Sequence, residues 1–361
     1  MRTLVSIQRV TALNPIEGAD RIEVASVLGW KVIVKKGDFK VGDQAVYFEV
    51  DSFLPVDPRY EFLRKSCYRN LDGKEGFRIR TVKMKKQISQ GLLLPLSQFP
   101  EIDPMLISLK SAMESLNDSP NTTVTFNLDI TERLGVTKYE PLVREFSSIG
   151  KGEVKGAFPG CVPKTDETRI QAVPDVLERH KDQAWIVTEK VDGTSATFYH
   201  VDGYFGCCSR NLERKDTPED LYWTMARKYN IEAGLRAKGN YAVQGEILGP
   251  GVQKNKYGLK ENQLFVFNVY DISAGKYLNH TDMVQFCADL CLTTVPVLGR
   301  YAVPTNINNL VYYATRKSAL ADIWSEGLVF RPYIETYDRE LGRLSFKVIN
   351  PEFLLKYEGE E

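Results

Sequence analysis

The stretch Thr188-Glu189-Lys190-Val191-Asp192-Gly193-Thr194-Ser195 decides the reading of this chain. It follows the apolar run Trp185-Ile186-Val187 and breaks at a glycine. A strand that ends this way sets a lysine at the mouth of a cleft, with a carboxylate two residues on. The same residues also read as a charged β-turn, so the motif takes its meaning from what surrounds it. Beyond the glycine, Ser195-Ala196-Thr197-Phe198-Tyr199 reads as a second strand, paired with the first around the turn.

Further pieces follow in order. Ser209-Arg210-Asn211 comes next, then Gln244-Gly245-Glu246, an acid at the end of an apolar run. Leu264-Phe265-Val266-Phe267-Asn268 sets an aromatic on a buried strand. Ser325-Glu326-Gly327-Leu328-Val329-Phe330-Arg331 places a carboxylate before a strand, and Ser345-Phe346-Lys347-Val348-Ile349 a lysine inside one. Singly, Phe267 reads as core, Glu326 as a loop acid and Lys347 as a solvated strand face. Their joint order makes that reading improbable. Around them, Thr217-Pro218-Glu219-Asp220 reads as a helix start with Thr217 as N-cap, running to about Tyr229. Thr281 to Cys291 reads as another helix.

Upstream, residues 1–100 read as short strands at about ten-residue spacing, the pattern of a small barrel. Trp30 to Val34 and Gln44 to Val50 are two of them, punctuated by Gly37-Asp38 and Gly42-Asp43. From Arg64 to Lys86 there are nine Lys or Arg against two acids, Asp72 and Glu75. Alternation through Phe77 to Lys85 turns Arg78, Arg80 and Lys86, or Lys83 and Lys85, outward. Residues 101–158 read as a connector, with a short helix at Pro104 to Leu116, a loop at Asn117 to Asn121 and a boundary near Gly150-Lys151-Gly152-Glu153.

Lys plus Arg equals Asp plus Glu at 47 each, so a uniformly basic nucleic-acid binder is excluded, though the local stripe at 64–86 is not. No apolar run approaches the ~20 residues that cross a bilayer. The start, MRTLVSIQRV, carries no secretory signal. Six cysteines, with no C-x-x-C, read as reduced thiols rather than a zinc site or disulfide framework. A cytoplasmic monomer is expected, with the nucleus left open.

These residues together resemble the covalent nucleotidyltransferases, the superfamily of ATP-dependent DNA and RNA ligases and capping enzymes. Lys190 to Gly193 matches its K-x-D-G motif. Pro163-Lys164-Thr165-Asp166-Glu167-Thr168-Arg169-Ile170-Gln171, Gly249-Pro250-Gly251-Val252-Gln253-Lys254-Asn255-Lys256-Tyr257 and the leading barrel narrow the resemblance to the fifth family of RNA ligases. It implies an α+β chain with three parts: an OB-type β-barrel at 1–100, the connector, and at 159–361 a nucleotidyltransferase domain of antiparallel sheets flanked by helices. DNA ligases and capping enzymes usually carry their OB domain after the last motif, and only twelve residues run from Asn350 to the end.

The resemblance implies attack of Lys190 on the α-phosphorus of ATP to form lysyl-AMP. AMP then passes to a 5′-phosphate, and a 3′-hydroxyl displaces it, at nicks in an RNA or RNA/DNA duplex. Thr188, Glu189, Asp192, Gly193, Arg210, Glu246, Phe267, Glu326 and Lys347 are the implied nucleotide-binding residues. Glu189 is expected at the adenine edge, Phe267 on the base, Arg210 at the ribose or nucleic-acid end, and Lys347 on the α-phosphate. Asp192, Glu246 and Glu326 are the implied holders of Mg²⁺ or Mn²⁺, through waters, with the ribose as the alternative partner of Asp192. A free lysine is neutral in only about one molecule in 10³ at neutral pH, so a nearby cation is needed to lower its pKa. Many ligases carry a second lysine two positions after the last one. Ile349 stands there, so either Lys347 suffices or Lys254 or Lys256 assists. A DNA ligase, a capping enzyme and a non-catalytic OB-type RNA-binding protein are the rival readings.

Overall fold

The computed structural model describes residues 3–71, 73–102, 128–140 and 152–357, in two compact units, Met1–Leu142 and Val143–Glu361. The helix expected at Pro104 to Leu116 and the loop at Asn117 to Asn121 lie outside the described residues, as does Gly150-Lys151.

The first unit is a curled sheet. Its long strand Val5–Ile16 pairs with Gln44–Phe48 through Val5 to Arg9, then shifts register after Val10 and pairs with Ala19–Val27. One strand thereby serves two directions, and the bulge supplies the bend that curls a flat ribbon toward closure. Trp30–Lys35 and Leu92–Pro95 extend the sheet at its ends. Both faces are covered. Val5, Ile7, Phe48, Phe77 and Phe99 share one core, and Val10, Trp30, Val32 and Tyr47 another. Part of the expected connector belongs to this unit, since Leu128–Asp129 pairs with the long strand and Thr137–Lys138 with Ser52–Pro55.

The basic stripe divides here. Strand Lys74–Arg78 ends before Thr81–Met84, which forms a separate hairpin with Gln87–Gln90. Arg78 does not face outward as the alternation predicts. It is buried, 4.4 Å from the Tyr139 ring centroid and 3.9 Å from Asp51. A cation stacked on an aromatic ring beside a carboxylate is compatible with burial, and a period of two cannot reveal such a partner more than fifty residues away. Lys83, Lys85 and Lys86 are exposed on the hairpin.

The second unit holds two sheets. The larger runs in the order Val154–Ala157, Leu212–Arg214, Tyr204–Cys208, Thr194–Val201, Tyr241–Leu248, Gln263–Asp271, Lys276–Tyr277, with Thr293–Thr294 beside Gln263–Asp271. The smaller runs Thr168–Arg169, Phe346–Ile349, Gly327–Pro332, Ala184–Lys190, Val297–Ala302. Pairing is antiparallel except at Thr168–Arg169 with Phe346–Ile349 and at Phe265 with Thr293. Helices Leu221–Lys228, Ile231–Lys238 and His280–Asp289 contribute to the larger sheet's core, and Ile307–Ala314 to the smaller sheet's.

The strands on either side of Gly193 are not partners, contrary to the sequence reading. Ala184–Lys190 lies in the smaller sheet and Thr194–Val201 in the larger, so Val191-Asp192-Gly193 crosses from one to the other. Glycine is required at the crossing, where a Cβ would stand 2.3 Å from the Ile247 carbonyl oxygen and 2.4 Å from the Leu248 side chain. A helix start also moves. Asp220, not Thr217, caps Leu221–Lys228, accepting from the backbone N–H of Tyr222 at 2.9 Å and Trp223 at 3.1 Å. A carboxylate is the better acceptor at the positive end of a helix, and buried Arg214 fixes it at 3.0 Å.

Asp220→Ala removes the cap and leaves the Arg214 guanidinium buried without its carboxylate. The expected loss is about 3 kcal/mol in denaturant unfolding, with Asp220→Asn losing less because the cap survives. Equal losses in the two variants would show that the cap carries nothing.

Candidate active site

Lys190 ends its strand at the seam between the two sheets, opposite Gly327 in the register with Gly327–Pro332. That pairing brings Glu326 alongside, and its Oε2 accepts from Lys190 Nζ at 2.7 Å. Gly327 has a φ of 158°, and a Cβ there would meet the Val348 carbonyl oxygen at 2.2 Å, so only glycine lets the strand start this close to its neighbour. From the larger sheet, Glu246 stands opposite Ser195 and accepts from the Gly193 N–H at 3.2 Å. Asp192 lies on the crossing between them. Lys347 is opposite Val329, and its charge acts on Glu326. The structure therefore brings Lys190, Asp192, Gly193, Glu246, Glu326 and Lys347 together.

The electrostatics are those of a crowded carboxylate field. Burial disfavours the Lys190 ammonium, but Glu326, Glu246 and Asp192 outweigh it and hold its pKa above the ordinary lysine value. Burial raises Glu246 to about 8, and repulsion from Glu326 and Asp192 adds to it while Lys190 and the Gly193 N–H work against it. Glu326 is raised for the same first reason, burial, with Lys190 opposing. As folded, the lysine is held charged, the wrong state for a nucleophile.

Asp192 has two partners on the loop after Glu246. Its backbone N–H donates to Tyr257 Oη at 2.9 Å, and its carboxylate pairs with Lys256 Nζ. Gln253, Lys254 and Asn255 precede this pair with φ of 43°, 57° and 48°, three successive non-glycine residues in the left-handed region. Each such residue costs on the order of 1 kcal/mol. The Asn255 side chain braces the turn against both the N–H and the carbonyl of Leu259. Lys256 Nζ also lies 5.3 Å from the ring centroids of Phe353 and of Tyr357, on the helix Pro351–Tyr357.

Between the sheets a narrow pocket is lined by Ile186, Thr188, Phe267, Val295, Val297 and Arg331, among others. Thr188 and Phe267 meet there. The Thr188 hydroxyl is buried without a hydrogen-bond partner among the described residues, so a polar group entering the pocket would find a donor and acceptor waiting. The Arg331 guanidinium lies 5.8 Å from the Phe267 centroid and pairs with Glu167 at 2.8 Å. Burial opposes the Glu167 carboxylate, but Arg331 and Arg343 outweigh it and keep its pKa below the usual range.

Two expected site residues have carboxylate or hydrogen-bond partners that the sequence reading did not foresee. Glu189 is opposite Leu328, whose side chain belongs to the core beneath helix Ile307–Ala314. Its carboxylate accepts from the Ser318 hydroxyl and, at 2.8 Å, from the Ala319 N–H. Arg210 is exposed and pairs with Asp166 at 2.5 Å. The sequence reading gave no role to Tyr257, Glu167, Arg331 or Ser318. Glu167 and Arg331 stand in stretches it quoted, but a sequence does not say that residues 164 apart will meet.

Among the described residues no three His, Cys, Asp or Glu side chains close into a direct metal cage. The oxygens of Asp192, Glu246 and Glu326 are hard donors, and the raised Glu246 pKa marks a place where added positive charge would be favoured. That donor set fits a hydrated divalent cation reached through waters.

Residues 4–96 match a family model described as an OB-fold domain, and residues 183–349 match one described as RNA ligase. A Naegleria gruberi RNA ligase structure with AMP and Mn superposes with a TM-score of 0.86 at 34% identity, covering 99% of each chain. The same protein with PPi gives 0.86 and 34%, covering 99% of this chain and 100% of that one. The chain belongs to the RNA ligase family. A variant of that ligase with ATP and Mn matches equally, at 0.86 and 33%, over 98% of this chain and 99% of that one. A search of curated proteins returned no significant match. The RNA ligase match spans Lys190, Asp192, Glu246, Phe267, Glu326 and Lys347, and the OB-fold match covers most of the curled sheet of the first unit. No helix among the described residues is long and apolar enough to cross a membrane.

Because Glu246 binds a proton more tightly folded than unfolded, its contribution to stability falls as pH rises from about 5 through its folded value of about 8. In metal-free buffer, Glu246→Gln should flatten that decline and stabilise the protein at pH 8 by on the order of 2 kcal/mol in denaturant unfolding. An unchanged pH profile would show that Glu246 is ionised throughout.

Proposed function

We propose that this RNA ligase is ATP-dependent and works through a covalent Lys190–AMP intermediate, joining 3′-hydroxyl to 5′-phosphate ends at nicks in a duplex whose 3′-hydroxyl strand is RNA. The observation that carries the reading is Lys190 held 2.7 Å from Glu326 in a carboxylate field, in a chain that matches over its full length an RNA ligase determined with ATP, AMP, PPi and Mn.

Lys190 Nζ, once neutral, attacks the α-phosphorus; a P–N bond forms, a P–O bond breaks, and pyrophosphate leaves. Glu326 Oε2 is the nearest acceptor for the lysine proton. Lys347 is placed to neutralise the α-phosphate as charge builds. The pocket at Thr188 and Phe267 takes the adenine, with the ring stacking on the base. A divalent cation, Mg²⁺ or Mn²⁺, held through water by Asp192, Glu246 and Glu326 would neutralise the field that keeps Lys190 protonated. In the second step a 5′-phosphate oxygen attacks the adenylate and Lys190 leaves with its proton restored. In the third the 3′-hydroxyl attacks the activated phosphate and AMP departs.

Cations on the first unit would grip phosphates without reading sequence. With Arg78 buried, the exposed hairpin lysines Lys83, Lys85 and Lys86 are the part of the stripe best suited to that role.

With α-labelled ATP and Mg²⁺, the wild type should acquire label and Lys190→Ala should not. Persistence of the adduct in Lys190→Ala would sink the mechanism, and labelling from GTP instead would point to a capping-type enzyme. Reversing the charges of Lys83, Lys85 and Lys86 together should reduce nick sealing roughly tenfold at physiological salt while leaving self-adenylylation near normal. An equal fall in both would remove the hairpin from the nucleic-acid surface.

A further inference from the structure

The Lys256–Asp192 pair is built rather than incidental. Lys256 is only 17% exposed at its side chain, as is Asp192. Its ammonium is fixed from three directions: by the carboxylate, by the Phe353 ring and by the Tyr357 ring. The chain reaches this position through a left-handed turn of three non-glycine residues, a conformation that surrounding structure must impose. Backbone strain at a short loop is informative when the loop delivers a group to a site, and this loop delivers both Lys256 and Tyr257 to Asp192.

We propose that Lys256 is a positioning residue that acts through Asp192. It serves as a tethered cation that occupies the carboxylate and keeps nucleotide-free protein from binding a divalent ion tightly there. This rests on the reading of Asp192, Glu246 and Glu326 as the cation-holding carboxylates. The physical ground is competition. An ammonium in contact with a carboxylate and a divalent ion approaching the same oxygens repel each other, and burial weakens the screening of that repulsion. A cation arriving with phosphate oxygens of its own overcomes this, because it needs less from Asp192. The ion would then enter with the nucleotide rather than ahead of it. Phe353 and Tyr357 extend the device to the last described helix, since they hold the ammonium where Asp192 finds it.

The test is Mn²⁺ binding to nucleotide-free protein, followed by the paramagnetic resonance signal of the free ion. Lys256→Met should bind Mn²⁺ about tenfold more tightly than wild type, the size expected when one nearby positive charge is removed. Lys256→Arg should bind as wild type, because it keeps the charge. The gain should vanish in the double variant Lys256→Met with Asp192→Asn. Thermal melts of all five proteins, the single variant Asp192→Asn included, confirm folding. Equal or weaker Mn²⁺ binding by folded Lys256→Met overturns the proposal and leaves Lys256 a strut for the loop. Absence of Mn²⁺ binding in every variant also overturns it. Failure of the underlying reading shows separately, as Mn²⁺ binding that Asp192→Asn leaves untouched or as loss of the labelled Lys190 adduct in wild type.

Discussion

The ion pair between Lys190 and Glu326 is the constraint on which the second unit depends. It bridges the end of one strand and the start of its neighbour, and both must approach closely enough that glycine is the residue next in line on the Glu326 side. The carboxylates that surround the lysine keep it charged, so the folded chain stores its nucleophile in an inactive protonation state. Positive charge supplied from outside changes that state. Substrate and cation thus do more than fill a cavity: they reset the field in which the lysine sits.

The fold supplies this field by joining two sheets through a three-residue crossing. Gly193 permits the close approach, and its N–H is spent on Glu246. Each sheet contributes charge, the smaller one Lys190, Glu326 and Lys347, the larger one Glu246, with Asp192 on the link. The pocket with Thr188 and Phe267 opens between the same two layers. Glu167, brought by the short parallel strand, holds Arg331 at that pocket's wall. Buried charge of this density is tolerable because most of it is paired.

Much of this was legible in the sequence. The K-x-D-G stretch, the order of the later acids and Lys347, and the strand pattern at 1–100 carried the two-part architecture and the residues around Lys190. What stayed hidden was tertiary. A period of two identified strands but could not say that Ala184–Lys190 and Thr194–Val201 join different sheets, because a glycine turn reads alike in both cases. Arg78 read as solvent-facing because its partners, Asp51 and Tyr139, are remote in sequence. Thr217-Pro218 carried a proper capping signal, and Asp220 prevailed through an arginine that no local rule includes. The pairings of Lys256 with Asp192 and of Arg210 with Asp166 likewise depend on loop paths.

Glu189 and Lys190 are neighbours on one strand, yet they are tied to opposite sides of it, one to Ser318 and Ala319 and the other to Glu326. A strand alternates its faces residue by residue, so slipping this one by a single position would exchange the two: the nucleophile would enter the hydrophobic layer and the acid would enter the cleft. The Ser318–Ala319 contact therefore acts as a latch on register, gripping the strand from behind. Substitutions along Trp185 to Val187 leave that latch engaged if they stay apolar. An inserted or deleted residue anywhere between Ala184 and Lys190 releases it, so this segment tolerates changes of composition far better than changes of length.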